Sequence, residues 1–220
     1  MRITLPSGTP AELSVPDGAT HGLVVIPDIG GMRPLFDDHV ARLAADHGWA
    51  VCAFEPLIGF EDKDLAYRLE HVGDLDDERV LADALAAADA TGCETVGVIG
   101  FCMGGMYTLK AAATGSFARA VPFYGMLRVP GHWHGPGQRD ALDTAGDVCP
   151  TLAFFGDADP WVPNEHVDEL RTVWANRPDC EIVVYPGADH GFVHDPERPV
   201  HRPDDAADAW ARTLRFLRAG

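Results

Sequence analysis

Val96-Gly97-Val98-Ile99-Gly100-Phe101-Cys102-Met103-Gly104-Gly105 opens as an apolar, β-branched run and closes as Gly-x-Cys-x-Gly. The run reads as a buried strand. The segment after it, from Met106 to Ala113, reads as a helix stopped at Gly115. A nucleophile-type side chain between two glycines, on a tight turn from strand to helix, has the layout of a nucleophile elbow. The central residue of such an elbow is strained, so the residues two positions to either side must lack side chains. A thiol stands where serine is more usual, and the positive end of the helix dipole at that first turn favours thiolate. The plainer reading of the same residues is a buried structural cysteine in a glycine-rich turn.

Outward from this stretch the chain repeats one alternation. Ile3–Leu5 and Glu12–Val15, split by Pro6-Ser7-Gly8, read as a starting hairpin. His21–Pro27 is apolar throughout, as expected of a strand covered on both faces. Leu35–His47 has apolar residues at helical spacing and closes at Gly48. Further strands are expected at Trp49–Phe54, Ala118–Tyr124, Thr151–Phe155 and Glu181–Tyr185, and helices at Asp76–Thr91 and Glu165–Trp174. A final amphipathic helix starts at Pro203 and turns Ala207, Trp210, Leu214 and Leu217 inward. Glu55–Leu75, with a short helix around Leu65–His71, and Leu127–Asp147 are irregular excursions suited to shaping a cleft. The alternation predicts an α/β fold: a doubly wound, mostly parallel sheet flanked by helices on both faces. With neither repeats nor a linker, 220 residues make one domain, spanning 1–220.

The net charge of −17 argues against nucleic acid and anionic membrane surfaces as partners. Five scattered cysteines without a CxxC point to a reducing compartment and to neither a disulfide framework nor a zinc cluster. Met1–Pro6 lacks the apolar core of a signal peptide, and no run approaches a membrane span, so a cytoplasmic location is expected.

In doubly wound sheets functional groups gather in loops beyond the carboxyl ends of strands. Four such loops hold reactive residues: Asp28, Cys102, Asp159 and His190. A thiol nucleophile needs a base near neutrality, and that base needs an acid to fix its tautomer. The order Cys102, Asp159, His190, each after a strand, matches the α/β-hydrolase arrangement. Asp157 competes with Asp159 as the acid, whereas Asp189 is better placed to serve the turn beside His190. The backbone N–H groups of Ile29 and Met103 are the expected oxyanion donors.

Gly-Phe-Cys-Met-Gly-Gly, followed downstream by Gly-Asp-Ala-Asp-Pro-Trp-Val-Pro and Ala-Asp-His-Gly-Phe, resembles the dienelactone hydrolase (carboxymethylenebutenolidase) family. The similarity runs from about His21 to Leu217, including Pro122–Gly125. It implies the α/β-hydrolase fold and a catalytic triad of Cys102, Asp159 and His190, with Asp159 selected over Asp157 by the Val162-Pro163 that follows. It also implies an acid that modulates the nucleophile, at the position of Asp28, where the family has glutamate. The family holds a substrate carboxylate with two arginines; the matching positions here are Arg68, loosely, and His194. Histidine does not grip a carboxylate as arginine does, which puts the namesake substrate in question. Phe123 and Trp161 are further candidate substrate contacts, with His132 and Trp133 as possible pocket lining. The expected activity is hydrolysis of a small ester or lactone through a thioester, without a cofactor, by a monomer or small homo-oligomer.

Two other functions fit parts of the sequence. A hydrolase fold kept as a small-molecule binding protein would not need all three triad groups. A metal hydrolase could draw on His190, His194, His132 and His134, but Gly191 breaks the helix that i,i+4 ligation requires, and there is no HExxH.

Overall fold

The computed structural model describes residues 1–219. A hairpin of β1 (Arg2–Thr4) and β2 (Pro10–Ser14) starts the sheet, pairing Ile3 with Ala11. β2 runs antiparallel to β4 (Ala50–Phe54). All remaining pairings are parallel, through β3 (His21–Ile26), β5 (Thr95–Phe101), β6 (Arg119–Phe123), β7 (Thr151–Gly156) and β8 (Cys180–Tyr185). The strand order is β1-β2-β4-β3-β5-β6-β7-β8. From β3 the chain steps to one side to make β4, then returns past β3 to make β5. The order therefore reverses between β3 and β5, and a crevice opens at their carboxyl ends.

Side-chain alternation along β5 shows how the two faces are filled. Gly100 points toward α4 (Met103–Ala112), where an added Cβ would lie 2.3 Å from the Gly104 carbonyl oxygen. Gly97 and Phe101 point the other way, toward Leu217 and Trp210 of α6 (Pro203–Arg218). α3 (Asp77–Ala90) packs beside α4, and α1 (Pro34–His47) meets α6 where His39 and Trp210 approach to 5.7 Å. α1 starts with Pro34 at its first turn and ends at Gly48 in the left-handed conformation, as the sequence directs. α5 (Asn164–Val173) buries only Val167 and Leu170.

The first excursion contains α2 (Leu65–His71) and a 3-10 turn at Val72–Asp74; the second contains a 3-10 turn at Ala141–Thr144. Two details differ from the sequence reading. Val15 is exposed and lies outside β2, where nothing pairs with it. On α6, Ala207 is exposed; the buried positions are Ala206, Ala209 and Thr213, so the inward stripe is shifted by one residue there. Small residues carry little periodic signal, and alanines at 206, 207 and 209 left the phase to be set by packing.

Candidate active site

The elbow begins with backbone sterics. Cys102 has φ 58° and ψ −120°, a conformation costly for a residue with a side chain. Its N–H donates to the Phe123 carbonyl at 3.1 Å, and its carbonyl accepts from Met106 at 3.0 Å. A Cβ on Gly104 would come within 2.1 Å of the Ile26 carbonyl oxygen and 2.3 Å of that of Pro27. Backbone from β3 thus presses directly on the first turn of α4, and only glycine permits it. This contact sets the Ile29 loop beside the elbow. Among the described residues neither the Ile29 nor the Met103 N–H donates to an acceptor.

β7 and β8 bring the other two groups. His190 Nδ1 and an Asp159 carboxylate oxygen are 2.7 Å apart, and the second Asp159 oxygen accepts from the Trp161 N–H at 2.8 Å. Asp157 takes a different part: it is exposed and accepts from the Gly187 N–H in the neighbouring turn. Cys102 and His190 are 6% and 8% exposed. His190 Nε2 is buried and makes no hydrogen bond in this arrangement. Burial disfavours the imidazolium, but the neighbouring Cys102 sulfur and Asp159 outweigh it and raise the His190 pKa to about 10.

Asp28 and His194 occupy places the sequence did not foresee. Both Asp28 oxygens are held by Arg33, at 2.6 and 2.9 Å; one also accepts from Gly30 N–H at 2.9 Å and the other lies 2.7 Å from His194 Nε2. Asp28 makes no hydrogen bond to Cys102, contrary to its expected role on the nucleophile. Burial would raise the Asp28 pKa, but His194 and Arg33 hold it well below the usual carboxylate range. His194 is itself buried, which lowers its pKa, and it presents no surface to a substrate. Phe123 also fails as a substrate contact. It is fully buried, stacked between Phe101 at 4.8 Å and Phe154 at 5.0 Å, because its position inside β6 directs it toward α6.

A cleft of about 510 Å³ opens beside the loop after β3, lined by Asp28, Ile29, Arg33, Lys63, Arg68 and Arg198 among others. Arg68 is not free within it: its guanidinium is buried against Glu55 at 3.3 Å and its Nε donates to the Lys63 carbonyl at 3.2 Å. The sequence reading missed Arg198. Its guanidinium lies over Gly191, next to His190, and makes no ion pair or hydrogen bond among the described residues. Its spacing of eight residues from His190, across Pro196, carried no periodic signal. On another side of His190, Trp161 is 37% exposed, 6.3 Å from the imidazole and stacked at 5.2 Å on Trp133, which His132 also contacts. Among the described residues no three His, Cys, Asp or Glu side chains converge in a way that could hold a metal ion. No helix among them is long and apolar enough to cross a membrane.

Comparison with known proteins finds relatives along nearly the whole chain. A Bradyrhizobium protein named "Probable 2-oxo-3-(5-oxofuran-2-ylidene)propanoate lactonase" is 31% identical over 211 residues, covering 91% of this chain and 84% of its own. A Yersinia pestis protein named "Putative carboxymethylenebutenolidase" is 31% identical over 97% of this chain and 86% of its own. The crystal structure titled as a "Putative Dienelactone Hydrolase" from Klebsiella pneumoniae superposes with a TM-score of 0.86 at 27% identity, covering 99% of this chain and 97% of that one. The model of the dienelactone hydrolase family matches residues 10–220. With that span and these relatives, the chain belongs to the dienelactone hydrolase family and is a lactone or ester hydrolase of the α/β-hydrolase fold.

Proposed function

We propose that the chain hydrolyses a small ester or lactone by covalent catalysis at Cys102. The single observation that carries this reading is the elbow cysteine beside an imidazole whose other nitrogen lies 2.7 Å from Asp159. The Cys102 thiolate attacks the carbonyl carbon, and the developing oxyanion accepts from the Ile29 and Met103 N–H groups. As the C–O bond breaks, the His190 imidazolium gives its proton to the leaving oxygen. The neutral imidazole then takes a proton from water, whose oxygen attacks the thioester. The acid is released and the thiolate–imidazolium pair returns. Asp159 stabilises the imidazolium throughout and keeps Nδ1 protonated.

A carboxylated substrate is favoured by the cleft. Arg198, without an anionic partner and beside His190, offers a carboxylate the grip that the buried His194 cannot. A charge-assisted hydrogen bond contributes roughly 1.5–3 kcal/mol. Arg198→Gln is therefore expected to raise KM about 10- to 100-fold for an ester bearing a free carboxylate, with little change for its neutral methyl ester. The test of the whole reading is a panel of p-nitrophenyl esters, thioesters and enol lactones assayed with the native chain and Cys102→Ala. Activity lost across the panel supports the assignment. Full activity in Cys102→Ala overturns it.

A further inference from the structure

One buried side chain that the proposed chemistry does not use touches several elements around the site. His194 lies four residues after His190, in the loop that follows β8. Its Nε2 is 2.7 Å from the Asp28 carboxylate, in the loop after β3 that also carries Ile29. Its Nδ1 is 2.5 Å from the Tyr124 hydroxyl, just beyond β6. Its carbonyl oxygen is 3.1 Å from His39 Nε2 on α1. Its ring stacks on Phe101, the residue before the nucleophile, at 4.9 Å and 19°. One imidazole therefore ties together the oxyanion loop, the elbow, the histidine loop and the end of β6.

The proton positions follow from the partners. Asp28 is ionised and can only accept, so His194 Nε2 carries hydrogen and donates to it. A neutral imidazole then has a lone pair on Nδ1, and the Tyr124 O–H must donate there. Tyr124 is held in place by this bond and by its N–H, which donates to the Phe154 carbonyl at 2.7 Å, although its φ of 38° is a strained one. The carboxylate that His194 grips belongs to the residue immediately before Ile29. The same carboxylate accepts from the Gly30 N–H immediately after Ile29 and pairs with Arg33. The peptide that presents the Ile29 N–H is thus fixed on both sides through Asp28, and His194 connects that fixture to the rest of the site.

We infer that His194 is a positioning residue: through Asp28 it holds the Ile29 N–H in register with the carbonyl that Cys102 attacks. The inference rests on the proposed roles of Cys102 and the Ile29 N–H. It makes a separate prediction, because a displaced oxyanion donor weakens acyl transfer without changing the reactivity of the thiol. Alkylation of a thiolate by iodoacetamide develops no oxyanion, and so it reads Cys102 and His190 alone.

The test uses the full-length chain with His194→Asn and His194→Gln. Turnover of p-nitrophenyl acetate and iodoacetamide labelling of Cys102, followed by peptide mass mapping, are measured on each. His194→Asn shortens the side chain and breaks the Asp28 contact. Its kcat is expected to fall about 10²- to 10³-fold, the cost of losing one oxyanion donor. Its KM and its Cys102 labelling rate stay within about twofold, since ground-state binding and the thiol are untouched. His194→Gln places an amide N–H near the position of Nε2, keeps the Asp28 contact and recovers a large part of kcat. Turnover of His194→Asn within twofold of native overturns the proposal. So does a parallel fall in turnover and labelling, which would assign His194 to the thiol or to folding at large. Equal losses in the two variants would likewise remove Asp28 from the account. Failure of the underlying reading shows elsewhere, as turnover retained in Cys102→Ala.

Discussion

At the scale of single residues the proposed chemistry depends on one sulfur and one imidazole, both almost fully buried. Burial alone would make His190 hard to protonate; Cys102 and Asp159 reverse that and raise its pKa to about 10. The sign of the linkage follows. A group whose pKa is higher folded than unfolded stabilises the fold fully below its ordinary value and loses that contribution as pH rises through the folded value. The His190 contribution is therefore complete below pH 6.5, declines steadily above it and is gone once pH passes about 10. Under the proposed mechanism turnover is expected to fall over the same alkaline range, because the imidazolium that would protonate the leaving group disappears; a flat alkaline pH profile would contradict that role. Cys102→Ala removes the largest influence that raises the His190 pKa and is expected to move its titration downward, which the imidazole proton resonances report by NMR. A His190 titration unchanged in Cys102→Ala would separate the two groups.

At the scale of elements, what could be read in advance depended on whether backbone or side chain did the work. The elbow was legible because its glycines answer to backbone contacts: Gly100 against Gly104, and Gly104 against the end of β3. The strands were legible because β3 and β4 are buried almost without break, and both-face burial leaves an uninterrupted apolar run. Asp159 and His190 were legible as strand-end loop residues in the right order. Phe123 was misread because an aromatic residue near a strand end has the same local sequence whether it faces a pocket or a helix. Its stack between Phe101 and Phe154 belongs to the packing of β5, β6 and β7. Phe123→Ala should accordingly cost about 3–5 kcal/mol. At roughly 2–4 °C per kcal/mol for a chain of this size, Tm drops by roughly 6–20 °C. KM for p-nitrophenyl acetate should be unchanged in the protein that remains folded. A raised KM with Tm intact would return Phe123 to the substrate. His194 and Arg198 escaped for a related reason: their partners Asp28 and Gly191 are set by loop geometry, and only the assembled sheet brings Asp28, 166 residues away, to His194.

At the scale of the molecule negative charge predominates: acidic side chains outnumber Lys and Arg by 34 to 17. The opening lined by Arg33, Lys63, Arg68 and Arg198 also carries Asp28, Glu61 and Asp195, so the two signs meet there. The surplus negative charge repels itself in the compact state. Added salt shortens the Debye length from about 30 Å at 0.01 M to about 10 Å at 0.1 M. Tm is therefore expected to rise with sodium chloride over that range, and a fall would show that attractive surface pairs outweigh the net repulsion. The reversal of strand order between β3 and β5 opens a crevice at the carboxyl ends of the strands, where the loop carrying Ile29 follows β3 and the elbow carrying Cys102 follows β5. The carbonyl chemistry assigned to that crevice requires an acyl group to rest on one particular sulfur. The most direct measurement is mass mapping of the chain quenched in acid during turnover of p-nitrophenyl acetate. The account predicts a single acetyl group on the peptide carrying Cys102, absent from Cys102→Ala and discharged when turnover is allowed to finish. Steady hydrolysis with Cys102 unmodified, or an acetyl group that accumulates on another residue at the rate of turnover, would contradict it.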